Sequence, residues 1–91
     1  MTITVFYHAQ VRRAAGVASE RIELEAPIPL GELLKRLAEE HGEALRDILI
    51  ENELPSESLL LFVGDEQVRA DSNRVLSDGD RLDILSPISG G

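Results

Sequence analysis

Residues 2–8, Thr-Ile-Thr-Val-Phe-Tyr-His, alternate with the two-residue period of a strand that buries one face. Ile3, Val5 and Tyr7 share one side, and Thr4, Phe6 and His8 share the other. A short loop carrying Gly16 follows. The stretch ERIELEA then alternates again, with Ile22 and Leu24 inward and Arg21, Glu23 and Glu25 outward. Together these runs predict two antiparallel strands joined by a loop of several residues.

The period then changes. Pro27 and Pro29 end the strand, Pro29 standing where the first turn of a helix tolerates proline. Leu30, Leu33, Leu34, Leu37 and Ala38 recur at i, i+3, i+4, i+7 and i+8, one apolar stripe on a helix from about Leu30 to His41. Glu32, Lys35, Arg36, Glu39 and Glu40 fill the far face at spacings that allow ion pairs. Gly42 reads as a left-handed C-cap, with His41 in the last turn. Leu45, Ile48 and Leu49 repeat the spacing over a shorter helical segment, and ENELPSE reads as a solvated loop.

SLLLFVG is too continuous and too β-prone for a loop and predicts a strand, EQVRA a short one. Ser77-Asp78-Gly79-Asp80 is a tight turn in which Gly79 supplies a positive φ, and RLDILS is a last strand with Leu82 and Ile84 inward. Helices on one face of a mixed sheet make a two-layer α+β domain, the first and last strands pairing in parallel at its centre.

Composition narrows the function. The chain has 91 residues, enough for one domain with a single core, and 43% hydrophobic residues, the balance of a folded chain rather than a disordered one. There is no cysteine, so no disulfide, thiolate metal site or thiol nucleophile is available. Seventeen acidic residues against nine basic ones leave a net charge of −8. That excess argues against nucleic acid, which needs a basic footprint; it reads first as a means of keeping the chain soluble and, alternatively, as attraction to a basic partner protein. No apolar run approaches the roughly 20 residues that span a bilayer, and no secretory leader is recognisable, so a cytoplasmic protein without membrane contact is expected.

Catalytic constellations are missing from the pattern. His8 and His41 lack clustered partners, so neither predicts a metal site, and both read as surface residues. The serines stand on no strand-turn-helix elbow, and the glycines form no phosphate loop ahead of a helix. The expectation is a protein that is not itself an enzyme and holds no cofactor.

The last six residues, Ser-Pro-Ile-Ser-Gly-Gly, change the picture. A diglycine has no side chain to pack and a high ordering entropy, a costly way to end a strand unless thinness has a use. The reactive group there is the α-carboxylate of Gly91. A carboxylate becomes an acyl donor only after activation, most simply by ATP to an acyl-adenylate, inside a site that excludes water. A terminus without Cβ atoms can thread the narrow channel such a site requires. Pro87 fixes one φ and removes a donor, which favours an extended exit. Residues 1–85 therefore read as the folded domain and 86–91 as a flexible tail.

The chain resembles the MoaD/ThiS family of ubiquitin-like sulfur carriers over nearly its full length: in VFYHAQVRRAAG, in LGELLKRLAEEHG, in LSDGDRLDIL and in the ending SPISGG. The ending is similar to the Pro-Pro-x-x-Gly-Gly of the molybdopterin synthase small-subunit type, with Ser86 in place of the first proline. The resemblance implies a β-grasp fold, a mixed sheet of about five strands packed against one main helix and a short helical segment. It implies that an E1-like adenylyltransferase uses MgATP to adenylate Gly91, with Gly90 giving access to the channel. A persulfide donor enzyme then converts the adenylate to a thiocarboxylate, the sulfur source for a synthase subunit in molybdenum cofactor biosynthesis. Cysteine, thiamin or another thio-metabolite are alternative destinations, and a modifier that forms isopeptide bonds is an alternative role.

A docking face follows from the alternation. Phe6 and His8 point away from the helix side, Leu85 alternates outward from Leu82 and Ile84, and Phe62 joins them if Leu61 and Val63 face inward. An exposed apolar patch beside Pro87 and the diglycine is what a partner site requires. Arg12 matches an arginine common after the first strand in the synthase type, which makes it a partner-contact candidate.

Overall fold

The alternation of the opening residues is realised as the centre of a mixed sheet. The computed structural model describes residues 1–87. Strand β1 (Thr2–Tyr7) buries Ile3, Val5 and Tyr7 and leads into helix α1 (Ala9–Ala15). Strand β2 (Ser19–Glu23) and the two-residue β3 (Ile28–Pro29) precede helices α2 (Leu30–His41) and α3 (Glu43–Leu49). There follow β4 (Ile50–Glu51), β5 (Leu54–Pro55), β6 (Leu60–Val63), β7 (Glu66–Val68), β8 (Val75–Leu76) and β9 (Arg81–Leu85).

The main sheet has the order β2-β1-β9-β6-β7. β1 and β9 run parallel, Val5 opposite Leu82 and Tyr7 opposite Ile84, while the remaining neighbours are antiparallel. Two small pairs, β3 with β8 and β4 with β5, flank this sheet. The stripe of α2 packs on the inner face: Leu30, Leu33, Leu34 and Leu37 are fully buried against Ile3, Val5, Leu61, Leu82 and Ile84 in one core cluster. Each such side chain contributes about 1.5–3 kcal/mol by leaving water.

Four expectations are corrected. The connection after β1 is not a loop: residues 9–15 form α1, which buries Val11 and packs Ala14 and Ala15 against the core. Gly16 closes it in the left-handed region at φ 82°, its N–H donating to the Arg12 carbonyl at 2.9 Å. Seven residues with one large apolar side chain show too little periodicity to announce a helix. Gly42 has φ 91° and ψ −170°, which is not a left-handed helical cap. It is a joint, and its carbonyl accepts from the Arg46 N–H at 3.0 Å to start α3. The stretch ENELPSE is not a plain solvated loop, since β4 and β5 pair across a turn in which Asn52 and Glu53 both have positive φ. Pro29 stands just before α2 with extended φ and ψ rather than inside its first turn.

The tight turn before β9 is held from both sides. Gly79, at φ 86°, donates to the Thr2 carbonyl, and Asp78 Oδ1 accepts from the Thr2 N–H at 2.8 Å. These bonds pin the start of β9 to β1, so the strand that leads toward the C-terminal residues leaves from the middle of the sheet.

Candidate functional site

The outer face of the sheet collects the residues that alternation turned away from α2. Phe6 and Phe62 both stand opposite Asp83, one on each neighbouring strand, so the three form a single row across β1, β9 and β6. The next row toward the end of β9 pairs Leu60 with Leu85. Leu60 is exposed and Leu85 half-buried, and Ser86 and the exposed Pro87 continue the chain from that corner.

At the centre is a carboxylate. Asp83 is only 9% exposed, yet it lies on the face turned away from the core. Arg81 reaches it with two parallel bonds, Nε to Oδ1 at 2.7 Å and Nη2 to Oδ2 at 2.9 Å. His8 Nε2 meets Oδ2 at 2.8 Å. The Arg81 bonds hold the carboxyl below its ordinary range despite partial burial, and His8 adds to the effect. The guanidinium also lies 3.8 Å from the centroid of Phe6, a cation–π contact that fixes the ring from above. The result is a platform of aromatic, cationic and apolar groups at the end of β9, around a hollow of about 450 Å³ lined by His8, Phe62, Arg81, Asp83 and Leu85 among others.

Of the residues expected at a docking face, Phe6, His8, Phe62 and Leu85 come together on it, and Pro87 follows directly. Arg12 does not join them at the hollow: it is exposed on α1 beside Ala9, Arg13 and Gly16. Gly90 and Gly91 lie outside the described residues. Arg81 and Asp83 were missed by sequence reasoning, although their signal was present. Two opposite charges at i and i+2 on a strand share one face and can pair.

His41 is likewise not a simple surface residue. Its Nε2 lies 2.7 Å from Glu20 Oε1, the same oxygen that accepts the Tyr7 hydroxyl at 2.6 Å, and its ring packs edge-on against Tyr7. The cluster joins the end of α2 to β1 and β2. Among the described residues, no group of three His, Cys, Asp or Glu side chains could hold a metal ion, and no helix is long and apolar enough to cross a membrane.

The profile of the ThiS family matches residues 5–91. The chain belongs to the ThiS family. It is 31% identical to the molybdopterin synthase sulfur carrier subunit of Chlamydomonas reinhardtii over the whole of both chains. The fold of this ThiS-family chain is the ubiquitin-like β-grasp: SAMP1 from Haloferax volcanii superposes with a TM-score of 0.82 over 100% of both chains, at 20% identity. A chain of the BexX/CysO complex of Amycolatopsis orientalis superposes at 0.69 with 25% identity, covering 98% of this chain and 99% of that one. The protein is thus a small ubiquitin-like sulfur carrier of the MoaD/ThiS kind.

Proposed function

We propose that this ThiS-family protein carries sulfur as a thiocarboxylate on Gly91 and delivers it to a synthase subunit that builds molybdopterin. The observation that carries the reading is the family match running to the diglycine at residue 91, with a molybdopterin synthase sulfur carrier subunit aligned end to end. In the first step the Gly91 carboxylate attacks the α-phosphate of MgATP on an E1-like enzyme and releases pyrophosphate. The C-terminal acyl-adenylate then loses AMP to a persulfide sulfur supplied by a donor enzyme. Reductive cleavage of the resulting acyl disulfide by a thiol leaves the thiocarboxylate.

The residues of the chain contribute position rather than bond chemistry. Gly90 offers no side chain to the channel that admits the carboxylate. Phe6, Phe62 and Leu85 supply apolar docking area on the outer face, and Arg81 and His8 give it directional polar contacts. Asp83 keeps Arg81 pre-organised, so less rotamer entropy is lost on association. With β9 pinned at the sheet centre, partners that grip this face also meet Ser86 and Pro87, where the chain leaves the strand.

The test is the intact mass after incubation with the cognate activating enzyme, MgATP and a persulfide source. The expected result is a gain equal to exchange of one oxygen for sulfur. Deleting Gly91 moves the carboxylate back by about 3.5 Å, and a misplacement of about 1 Å already costs on the order of 100-fold. The deletion variant should stay folded and gain nothing. Normal sulfur loading of that variant would remove Gly91 from the reaction. Adding the synthase large subunit and its precursor then reads the destination, since molybdopterin should form as the mass gain disappears.

A further inference from the structure

Four large apolar side chains are exposed among the described residues: Val17, Leu54, Leu60 and Val75. Leu60 borders Leu85 on the outer face. Leu54 and Val75, the most exposed at 63% and 49%, belong elsewhere. They line a groove of about 610 Å³ between the N-terminal half of α2, the β4–β5 hairpin and the segment 70–75. Its apolar lining is completed by Pro29, Pro55 and the buried Ala70. Gly31 lies where α2 meets the hairpin; a Cβ there would sit 3.6 Å from Pro55 Cγ.

The rim is acidic. Glu32, Glu51, Glu57 and Asp71 line the groove against a single cation, Lys35. Arg69 is already engaged with Asp71 at 3.0 Å and stands 3.9 Å from Glu57. Glu32 and Glu51 make no ion pair among the described residues. An apolar lining with unpaired carboxylates at its edge matches an apolar side chain flanked by cations.

We propose that this groove is a second protein-docking site, which takes a partner segment with an apolar anchor beside Lys or Arg. A second copy of the chain does not fit as occupant, because a net charge of −8 opposes self-association. The groove shares no lining residue with the hollow beside Phe62 and Leu85. One protein can therefore hold the carrier here while another occupies its outer face.

The experiment selects short random peptides from a display library on the immobilised full chain, followed by affinity measurements on enriched sequences. The enriched peptides should combine a large apolar residue with neighbouring Lys or Arg. Leu54→Ser should weaken their binding by about tenfold or more, as loss of a central anchor contact does. The pair Glu32→Gln with Glu51→Gln should weaken it too, and tests the site independently should Leu54→Ser fail to fold. The pair Glu25→Gln with Glu39→Gln makes the same charge change outside the groove and should leave affinity within about twofold, a change too small to mark a contact. Amide shifts on titration should centre on Gly31, Leu54 and Ala70. Absence of enrichment, equal weakening by the outside pair, or shifts centred on Phe62 and Leu85 would each overturn the proposal.

Discussion

The Tyr7 hydroxyl donates to Glu20 Oε1 at 2.6 Å, from the buried face of β1 to the partly covered edge of β2. His41 at the end of α2 meets the same oxygen at 2.7 Å. Burial by itself would raise the Glu20 carboxyl, but the hydrogen bonds from Tyr7 and His41 outweigh it and hold the group below its ordinary value. Burial and the neighbouring carboxylate push the Tyr7 phenol far upward, so it stays a donor across the working pH range. One carboxylate thus ties both strands to the helix.

This cluster makes stability pH-dependent with a definite sign. A carboxyl lowered in the folded state stabilises fully above its unfolded value, about 4.3, and loses that contribution as pH falls through the folded value. Tyr7→Phe should cost about 1.5–3 kcal/mol at neutral pH, the range for a hydrogen bond to a charged group. The cost should shrink as acid neutralises Glu20, so urea midpoints of the two proteins should converge below pH about 4. Parallel curves would mean that Glu20 is not the titrating group.

Leu34 tests the inner layer. It is fully buried within the core cluster, so Leu34→Ala should cost about 2–5 kcal/mol in urea unfolding. A cost near zero would mean that the helix stripe does not carry the core.

Leu85 tests the outer layer. It is half-buried beside Leu60, outside the α2 core, so Leu85→Asp should lower the thermal midpoint only modestly. Thiocarboxylate formation with the activating enzyme should fall by tenfold or more, about 1.4 kcal/mol of lost docking energy. Global unfolding of the variant would make Leu85 a core residue and remove it from the docking face.

Glu53 carries backbone strain. With φ 67° beside Asn52 at φ 54°, it fills the second position of a two-residue hairpin turn that glycine prefers. Left-handed backbone costs a residue with a Cβ about 1–2 kcal/mol, partly offset by the extra unfolded-state entropy of glycine. Glu53→Gly should therefore stabilise the protein by about 0.5–1 kcal/mol, read as a raised urea midpoint. A lowered midpoint would show that the Glu53 side chain matters more than its backbone.

Much of this architecture was legible because it follows from periodicity, a local property. The stripe from Leu30 to Ala38 located α2, and the two-residue alternation of Ile3, Val5 and Tyr7 and of Leu82 and Ile84 identified the inner faces of β1 and β9. The same alternation placed Phe6, Phe62 and Leu85 on the outer face, whereas the carrier reading came from the resemblance of the whole chain to the MoaD/ThiS family. What stayed hidden depended on partners distant along the chain. Helix α1 has a single buried anchor, Val11, and is held by the layer it packs on rather than by its own pattern. His41 read as a surface residue because its partners, Glu20 and Tyr7, lie 21 and 34 positions away. His8 meets Asp83 across 75 positions, and only the parallel pairing of β1 with β9 brings them within hydrogen-bond reach. Periodicity records which side of an element is apolar; which polar groups face one another is decided by strand order and register, and these exist only once the chain has closed on itself.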